Sequence, residues 1–197
     1  MKINRTLAHS SESMPLWEEM LPTPLCPLWL SFSERGLQAL YFNNPGKQTG
    51  PLWPLNQHQN DPELATSLRQ WRQETTAALM AYFAGRPDSF EHLSLDLQGT
   101  PFQIRVWEAL RQVPFGAITS YQALADSLGM PRSARAVGSA LGANPLPIII
   151  PCHRVVATNG SLGGYSAGIQ YKRLLVSHEQ VASGKSPIPL HGPIEDR

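Results

Sequence analysis

The stretch Ile148–Val156 reads IIIPCHRVV, and it constrains the fold more than any other part of the chain. Three consecutive isoleucines require burial, so the backbone that carries them is an interior strand or a buried turn. Pro151 ends the run, and a thiol, an imidazole and a guanidinium follow at once. Cys152 therefore sits on a rigid, partly dry scaffold. That suits a nucleophile. It also suits a structural cysteine, because a free cysteine behaves as a small hydrophobe. The neighbours favour the nucleophile: His153 adjoins it, Asn144 lies upstream and Glu179 downstream. These residue types orient and activate a thiol.

The only other cysteine in the 197 residues is Cys26. Two cysteines give no disulfide framework and no four-cysteine zinc site, so both are expected as reduced thiols. No apolar stretch approaches the roughly 20 residues that cross a bilayer, and the first residues lack the apolar core of a secretory signal. A cytoplasmic protein with no membrane association is expected. Net charge is +1, but it is unevenly spread. Residues 1–104 carry seven Lys/Arg against ten Asp/Glu, whereas residues 105–173 carry seven against two. The block that holds Cys152 is the basic one, as a partner with a phosphate backbone requires.

Residues 1–24 are polar and then proline-rich, and read as a poorly ordered lead-in. From Cys26 to Phe42, two apolar runs flank Ser-Glu-Arg-Gly, which predicts a β-hairpin turning at Gly36, with Cys26 as core filler. Residues 43–60 read as a loop. Asp61-Pro62-Glu63 opens a helix, with Leu64, Leu68, Trp71, Leu79 and Phe83 mostly on one face and Gly85 and Pro87 stopping it. Trp29, Trp53 and Trp71 read as core. LSLDL at 93–97 alternates like a half-buried strand. These elements predict a small α/β domain over 25–98.

A second domain is expected over 99–182, followed by a mobile tail over 183–197. Thr100-Pro101 begins a helix with Ile104, Val106, Trp107, Ala109 and Leu110 as its apolar content. Thr119 or Ser120 caps a short helix closed by Gly129, and Ser133 caps another, SARAVGSALG. Two short helices joined by a Gly/Pro turn match a helix-turn-helix. The second is built from small residues (Ala134, Ala136, Gly138, Ser139, Ala140) with one long cation, Arg135. Such a helix can approach the minor groove of DNA, about 6 Å wide. Close packing on a neighbouring helix would also use small residues. The basic block and the Ser/Thr residues at the helix starts favour DNA. Downstream, a glycine-rich turn exposes Tyr165 and Ser166. A last helix over 170–179 places Tyr171, Leu174, Leu175 and His178 near one face, with Glu179 at its end.

PCHRVV, preceded by RAVGSALGANPLPIII and followed by NGSLGGYSAGIQYKRLLVSHE, resembles the O6-alkylguanine-DNA alkyltransferases, suicide DNA-repair methyltransferases. The likeness spans about residues 100–179, with several motifs in order. It implies an α+β fold: a small ribonuclease-H-like α/β domain, then a mainly helical one with a helix-turn-helix. It implies irreversible, stoichiometric transfer of an alkyl group from O6-alkylguanine, with O4-alkylthymine as a further candidate, to Cys152. By the same resemblance His153 activates the thiol through a water, on an extended segment where sequence neighbours point apart. Glu179 orients His153, Tyr121 gives a proton to the leaving guanine, and Asn144 supports the cysteine segment.

Arg135 would fill the stack when the base flips out, which the chemistry requires because O6 is out of reach inside a duplex. Ala134 and Ala136 would lie in the minor groove of double-stranded DNA, with Thr119, Ser120 and Ser133 completing the DNA-facing set. Tyr165, Ser166, the backbone at Val155 and Lys172 would line or adjoin the guanine pocket. Leu141 and Gly164 are pocket-side positions that vary in the family. The protein would act as a monomer without a cofactor. Zinc in the first domain would have to use Cys26, His58 and His92, too thin a ligand set, so no metal is expected.

Two rivals remain: a non-enzymatic helix-turn-helix binder with Cys152 inert, and a cysteine hydrolase. A thioether on Cys152 has no easy leaving group, so the alkylated protein persists. The extra volume in a packed pocket is expected to destabilise it by about 1–3 kcal/mol. Thermal melting of alkylated against unalkylated protein checks this, and equal melting temperatures overturn it.

Overall fold

In the computed structural model, residues 15–42, 61–86, 90–186 and 190 are described. The expected loop over 43–60, Trp53, His58, Pro87 and residues 1–14 of the expected lead-in lie outside them. The chain divides into two units, Met1–Gln98 and Gly99–Arg197.

The first unit is a three-stranded antiparallel sheet with one long helix: β1 (Trp17–Leu21), β2 (Leu28–Ser33), β3 (Gly36–Phe42) and α1 (Pro62–Phe83). The hairpin turns at Gly36, as Ser-Glu-Arg-Gly predicts, with φ at +136°. Residues 17–21 are not part of a lead-in. They pair with β2 from Trp17↔Phe32 to Leu21↔Leu28. The reason is alternation hidden by two glutamates: Arg72 of α1 neutralises Glu19 and stacks over the Trp17 ring at 4.1 Å. Cys26 is not core filler. It lies half-buried in the turn before β2, where its carbonyl accepts from the Thr23 hydroxyl at 2.6 Å.

Asp61 caps α1 by accepting from Leu64 N. The buried face is Leu68, Thr75, Ala78, Leu79 and Tyr82. Leu64, Trp71 and Phe83, expected on it, are only half-buried, as is Trp29.

LSLDL does not form a strand. It makes one parallel bridge, Leu37↔Leu95, through Leu37 N to Ser94 O and Asp96 N to Leu37 O, both 2.9 Å. Its buried residues are Leu93 and Asp96. The Asp96 carboxylate turns inward because the hairpin turn supplies its partners: the Ser33 hydroxyl at 2.6 Å and the Arg35 guanidinium at 3.0 Å.

The second unit is mainly helical: α2 (Pro101–Arg111), α3 (Tyr121–Ser127), α4 (Ala134–Gly142) and α5 (Ile169–Ala182), with the two-residue strands β4 (Thr119–Ser120) and β5 (Val155–Val156). Thr100 starts α2 with a capping box to Gln103. The α2 face Val106, Trp107 and Leu110 is buried, and Trp107 Nε1 donates to Ala140 O at 2.8 Å, tying α2 to α4. Ser120 caps α3 through Ala123 N at 3.0 Å. Ser133 precedes α4, yet its side chain makes no capping bond.

Two further expectations change. The final helix runs three residues past Glu179, and Leu174 faces solvent. Its buried face is Lys172, Leu175, Val176, Glu179 and Gln180, the helical spacing of one stripe. The start of the expected tail is held: Lys185 Nζ donates to Gly116 O at 3.0 Å and Ser183 Oγ to Glu179 O at 2.7 Å. Residues 187–189 and 191–197 lie outside the described ones.

At Gly36 an added Cβ would stand 2.3 Å from Ser94 O, at a φ that side chains rarely adopt. Gly36→Ala should therefore destabilise the first unit by more than about 1 kcal/mol. Chemical denaturation followed by tryptophan fluorescence checks it; an unchanged midpoint contradicts it.

Candidate active site

The IIIPCHRVV segment is a buried irregular turn that passes into a short 3₁₀ turn, Cys152–Arg154, and then into β5. The resemblance implied an extended segment at Cys152 and His153; the structure instead has a 3₁₀ turn there. Asn144 imposes the bend. Its side-chain oxygen accepts from Leu146 N at 2.9 Å, its amide donates to Ile150 O at 2.8 Å, and the same amide lies 3.1 Å from Cys152 Sγ. Between these anchors Ile148 is held at φ +76°, a conformation β-branched residues rarely adopt. One asparagine thus shapes the loop and faces the sulfur.

β5 pairs in parallel with β4, Thr119↔Val155 and Ser120↔Val156. This pairing sets the start of α3, and with it Tyr121, at a fixed register to the cysteine turn. Tyr121 lies between two glycines. An added Cβ at Gly138 would be 3.7 Å from its ring, and one at Gly163 would be 2.7 Å from its hydroxyl.

Behind the thiol stands a buried carboxylate. Glu179 Oε1 is 2.6 Å from His153 Nε2. Sequence reasoning missed the other partners. Arg154 donates through Nε to Oε2 at 2.8 Å and through Nη2 to Oε1 at 2.9 Å, and Gly116 N donates to Oε2 at 2.9 Å. Arg154 Nη1 also donates to Val113 O at 2.6 Å. The signal for Arg154 was its place directly after the histidine. Gly116 carried none, since every residue except proline has a backbone N–H.

Burial alone would raise the Glu179 pKa, but His153 and Arg154 hold the carboxyl well below its ordinary range. Burial lowers His153, against the pull of Glu179. An ionised carboxylate only accepts, so Nε2 carries the ring proton and Nδ1 keeps the free lone pair. Nδ1 is buried without a hydrogen-bond partner among the described residues. A base with its lone pair available follows from this geometry.

Cys152 is 5% exposed, and burial pushes its thiol up. The Asn144 amide, the Lys172 ammonium and Tyr165 each act the other way, favouring thiolate. Burial, reinforced by Cys152, raises Tyr121, so its hydroxyl is protonated at neutral pH.

The structure thus brings Cys152, His153, Glu179, Asn144, Tyr121, Tyr165 and Lys172 together. Val155 is buried in β5 beside them and Ser166 is exposed. Leu141 is buried on α4, and the Gly164 carbonyl accepts from Lys172 at 3.4 Å. On α4, Arg135 and Ala136 are exposed, Ser133 just before it and Ala134 are half-buried, and Val137, Ala140 and Leu141 face inward. Among the described residues, no group of three or more metal-binding side chains occurs and no helix is long and apolar enough to cross a membrane.

Residues 101–181 match the family described as 6-O-methylguanine DNA methyltransferase, DNA binding domain. The methylated-DNA–protein-cysteine methyltransferase of Salmonella typhimurium is 39% identical over 165 residues, covering 83% of this chain and 95% of that one. This chain belongs to that methyltransferase family. A Methanosarcina barkeri member is 37% identical over 165 residues, covering 84% and 98%. The fold of the methyltransferases agrees. The crystal structure of the Mycobacterium tuberculosis O6-methylguanine methyltransferase superposes with a TM-score of 0.66 at 38% identity, covering 84% of this chain and 93% of that one. The OGT of the same organism in complex with DNA gives 0.64 at 35%, covering 86% and 94%.

Glu179 has a depressed pKa in the folded chain, so its contribution to stability is complete above the unfolded carboxylate value of about 4.3 and is lost as pH falls further. Arg154→Met leaves the buried carboxylate short of a partner and should cost about 3–5 kcal/mol at pH 7. Urea titrations between pH 3 and 7 check both points. Glu179→Gln should lack the acid loss that the wild type shows, and parallel curves for the two proteins contradict the assignment.

Proposed function

We propose that this protein repairs O6-alkylguanine in double-stranded DNA by direct reversal, moving the alkyl group irreversibly to Cys152, once per molecule. The observation that carries this reading is the buried thiol held at 3.1 Å by the Asn144 amide, on the same 3₁₀ turn as an imidazole whose Nε2 is fixed by an ionised carboxylate. In the reaction the Cys152 proton passes to His153 Nδ1 through a water. The sulfur forms a bond to the alkyl carbon as the carbon–O6 bond breaks, and the electron pair leaves with guanine. The Tyr121 hydroxyl, held in its protonated form, supplies the proton that the departing purine takes up. Methyl transfer to a protein cysteine is the activity named for the Salmonella typhimurium and Methanosarcina barkeri relatives.

DNA is the partner, a reading supported by the family match over 101–181 and by the DNA complex of the Mycobacterium tuberculosis protein. α3 and α4 act as the helix-turn-helix. Ala134 and Ala136 let α4 into the minor groove, and the exposed Arg135 fills the space of the flipped base. Thr119, Ser120 and Ser133 serve the backbone contacts. Tyr165, Ser166, Val155 and Lys172 form the guanine pocket. The protein works as a monomer in the cytoplasm.

Mass spectrometry after incubation with an O6-methylguanine duplex tests this. A single methyl mass on Cys152, at most once per molecule, is expected. No added mass would leave a DNA binder, and multiple turnovers would mean a hydrolase. Cys152→Ala should bind the duplex without transfer. Arg135→Ala should lose repair of the duplex more than reaction with the free base, and equal losses would remove the finger role.

A further inference from the structure

Arg105 is exposed on α2, directly before the buried Val106 and Trp107. Its side chain is nevertheless held. Nη2 donates at 3.3 Å to the carbonyl of Leu128, the residue that ends α3 and opens the turn to α4. The Trp107–Ala140 bond ties α2 to α4, so the guanidinium reaches that turn from a fixed support. Gln122 steadies the same turn from α3: its amide donates to Asp126 Oδ1 at 2.8 Å and to Pro131 O at 2.5 Å.

The charges around the turn do not balance. Arg105, Arg132 in the turn and Arg135 on α4 are all exposed, and none of them makes an ion pair among the described residues. Of the two carboxylates between residues 105 and 135, Asp126 is engaged by Gln122, and Glu108 is exposed on α2 without pairing with Arg105. A guanidinium offers five N–H donors. Arg105 spends one on Leu128 and keeps the others for an acceptor from outside the chain. The bond to Leu128 already orders a long side chain, so less freedom is lost when that acceptor arrives.

A helix that enters a groove about 6 Å wide is flanked by the two sugar-phosphate strands that wall it. Cations that border the start of such a helix meet phosphates, which position a protein on the duplex without reading its sequence. We propose that Arg105 is a phosphate-binding residue of the DNA interface: carried by α2 and docked on the α3–α4 turn, it grips the strand that borders α4. The proposal rests on duplex DNA being the partner of α4. It extends the interface to a helix outside the helix-turn-helix and contributes to affinity, not to the choice of base.

The test uses the full chain and a fluorescein-labelled duplex without a lesion, so that no transfer intervenes. Binding is followed by anisotropy between about 50 and 200 mM salt. Arg105→Gln keeps a donor for Leu128 O but no charge, and Arg105→Lys keeps the charge. Each neutralised phosphate contributes about 0.9 to the slope of log K against log salt. Arg105→Gln should flatten the slope by about that amount and bind about five- to tenfold more weakly at 0.1 M salt, while Arg105→Lys keeps most of the slope. Arg69→Gln is the control: Arg69 is also exposed and also donates to one backbone carbonyl, that of Ala65, but it lies on α1. Its slope should match the wild type. A wild-type slope in Arg105→Gln overturns the proposal and leaves Arg105 as a brace on the end of α3. Equal flattening in Arg105→Lys or in Arg69→Gln overturns it too, because lysine binds phosphate as a point charge and the control has no place at the interface.

Should the Arg105 variants fail to fold, phenylglyoxal labelling of the wild type decides, read by peptide mass. The duplex should slow modification of Arg105 several-fold and leave Arg69 unaffected, and equal rates at Arg105 with and without DNA overturn the proposal. Wild-type protein that shows no salt-dependent binding sinks the DNA reading and this contact with it. Salt-dependent binding with an unchanged Arg105→Gln slope sinks the contact alone.

Discussion

The buried carboxylate of Glu179 is the interaction on which the second unit depends. Carried by α5, it receives hydrogen bonds from two other places in the chain: the 3₁₀ turn through His153 and Arg154, and the turn after α2 through Gly116. A single ionised group thus joins segments more than sixty residues apart in sequence. The desolvation it suffers is large, and only multiple, well-directed donors offset it. The same bonds fix the tautomer of His153 and leave its Nδ1 lone pair without a hydrogen-bond partner among the described residues.

Asn144 performs a similar double service at smaller scale. Its side chain replaces the backbone partners that a bent, non-repeating segment lacks, which lets three isoleucines sit buried outside any sheet. Ile148 is held in a left-handed conformation that its branched side chain resists. The cysteine turn is therefore specified by hydrogen bonding and packing jointly, against local preference.

Most element starts were legible in the sequence because caps are local chemistry. Asp61, Thr100 and Ser120 each accept from the amide three residues on. The hairpin at Gly36 was legible for the same reason. What escaped is whatever a partner distant in sequence decides. Asp96 turns inward because Ser33 and Arg35 wait there, and alternation over 93–97 cannot reveal them. The strand at 17–21 was masked by Glu19, whose partner Arg72 is on α1. At the site, the motif around Cys152 singled out Cys152, His153 and Glu179, of which the structure pairs His153 with Glu179. It did not show that Arg154 neutralises the acid, nor that Lys172 is wholly buried, because both facts depend on how α5 meets the cysteine turn.

The scant exposure of Cys152 has a consequence for the protein's life before it meets damage. A sulfur kept in its protonated form inside a closed pocket reacts slowly with peroxides and stray electrophiles, which attack accessible thiolates. For a methyltransferase whose cysteine is spent by one transfer, slow side reactions conserve the unmodified protein.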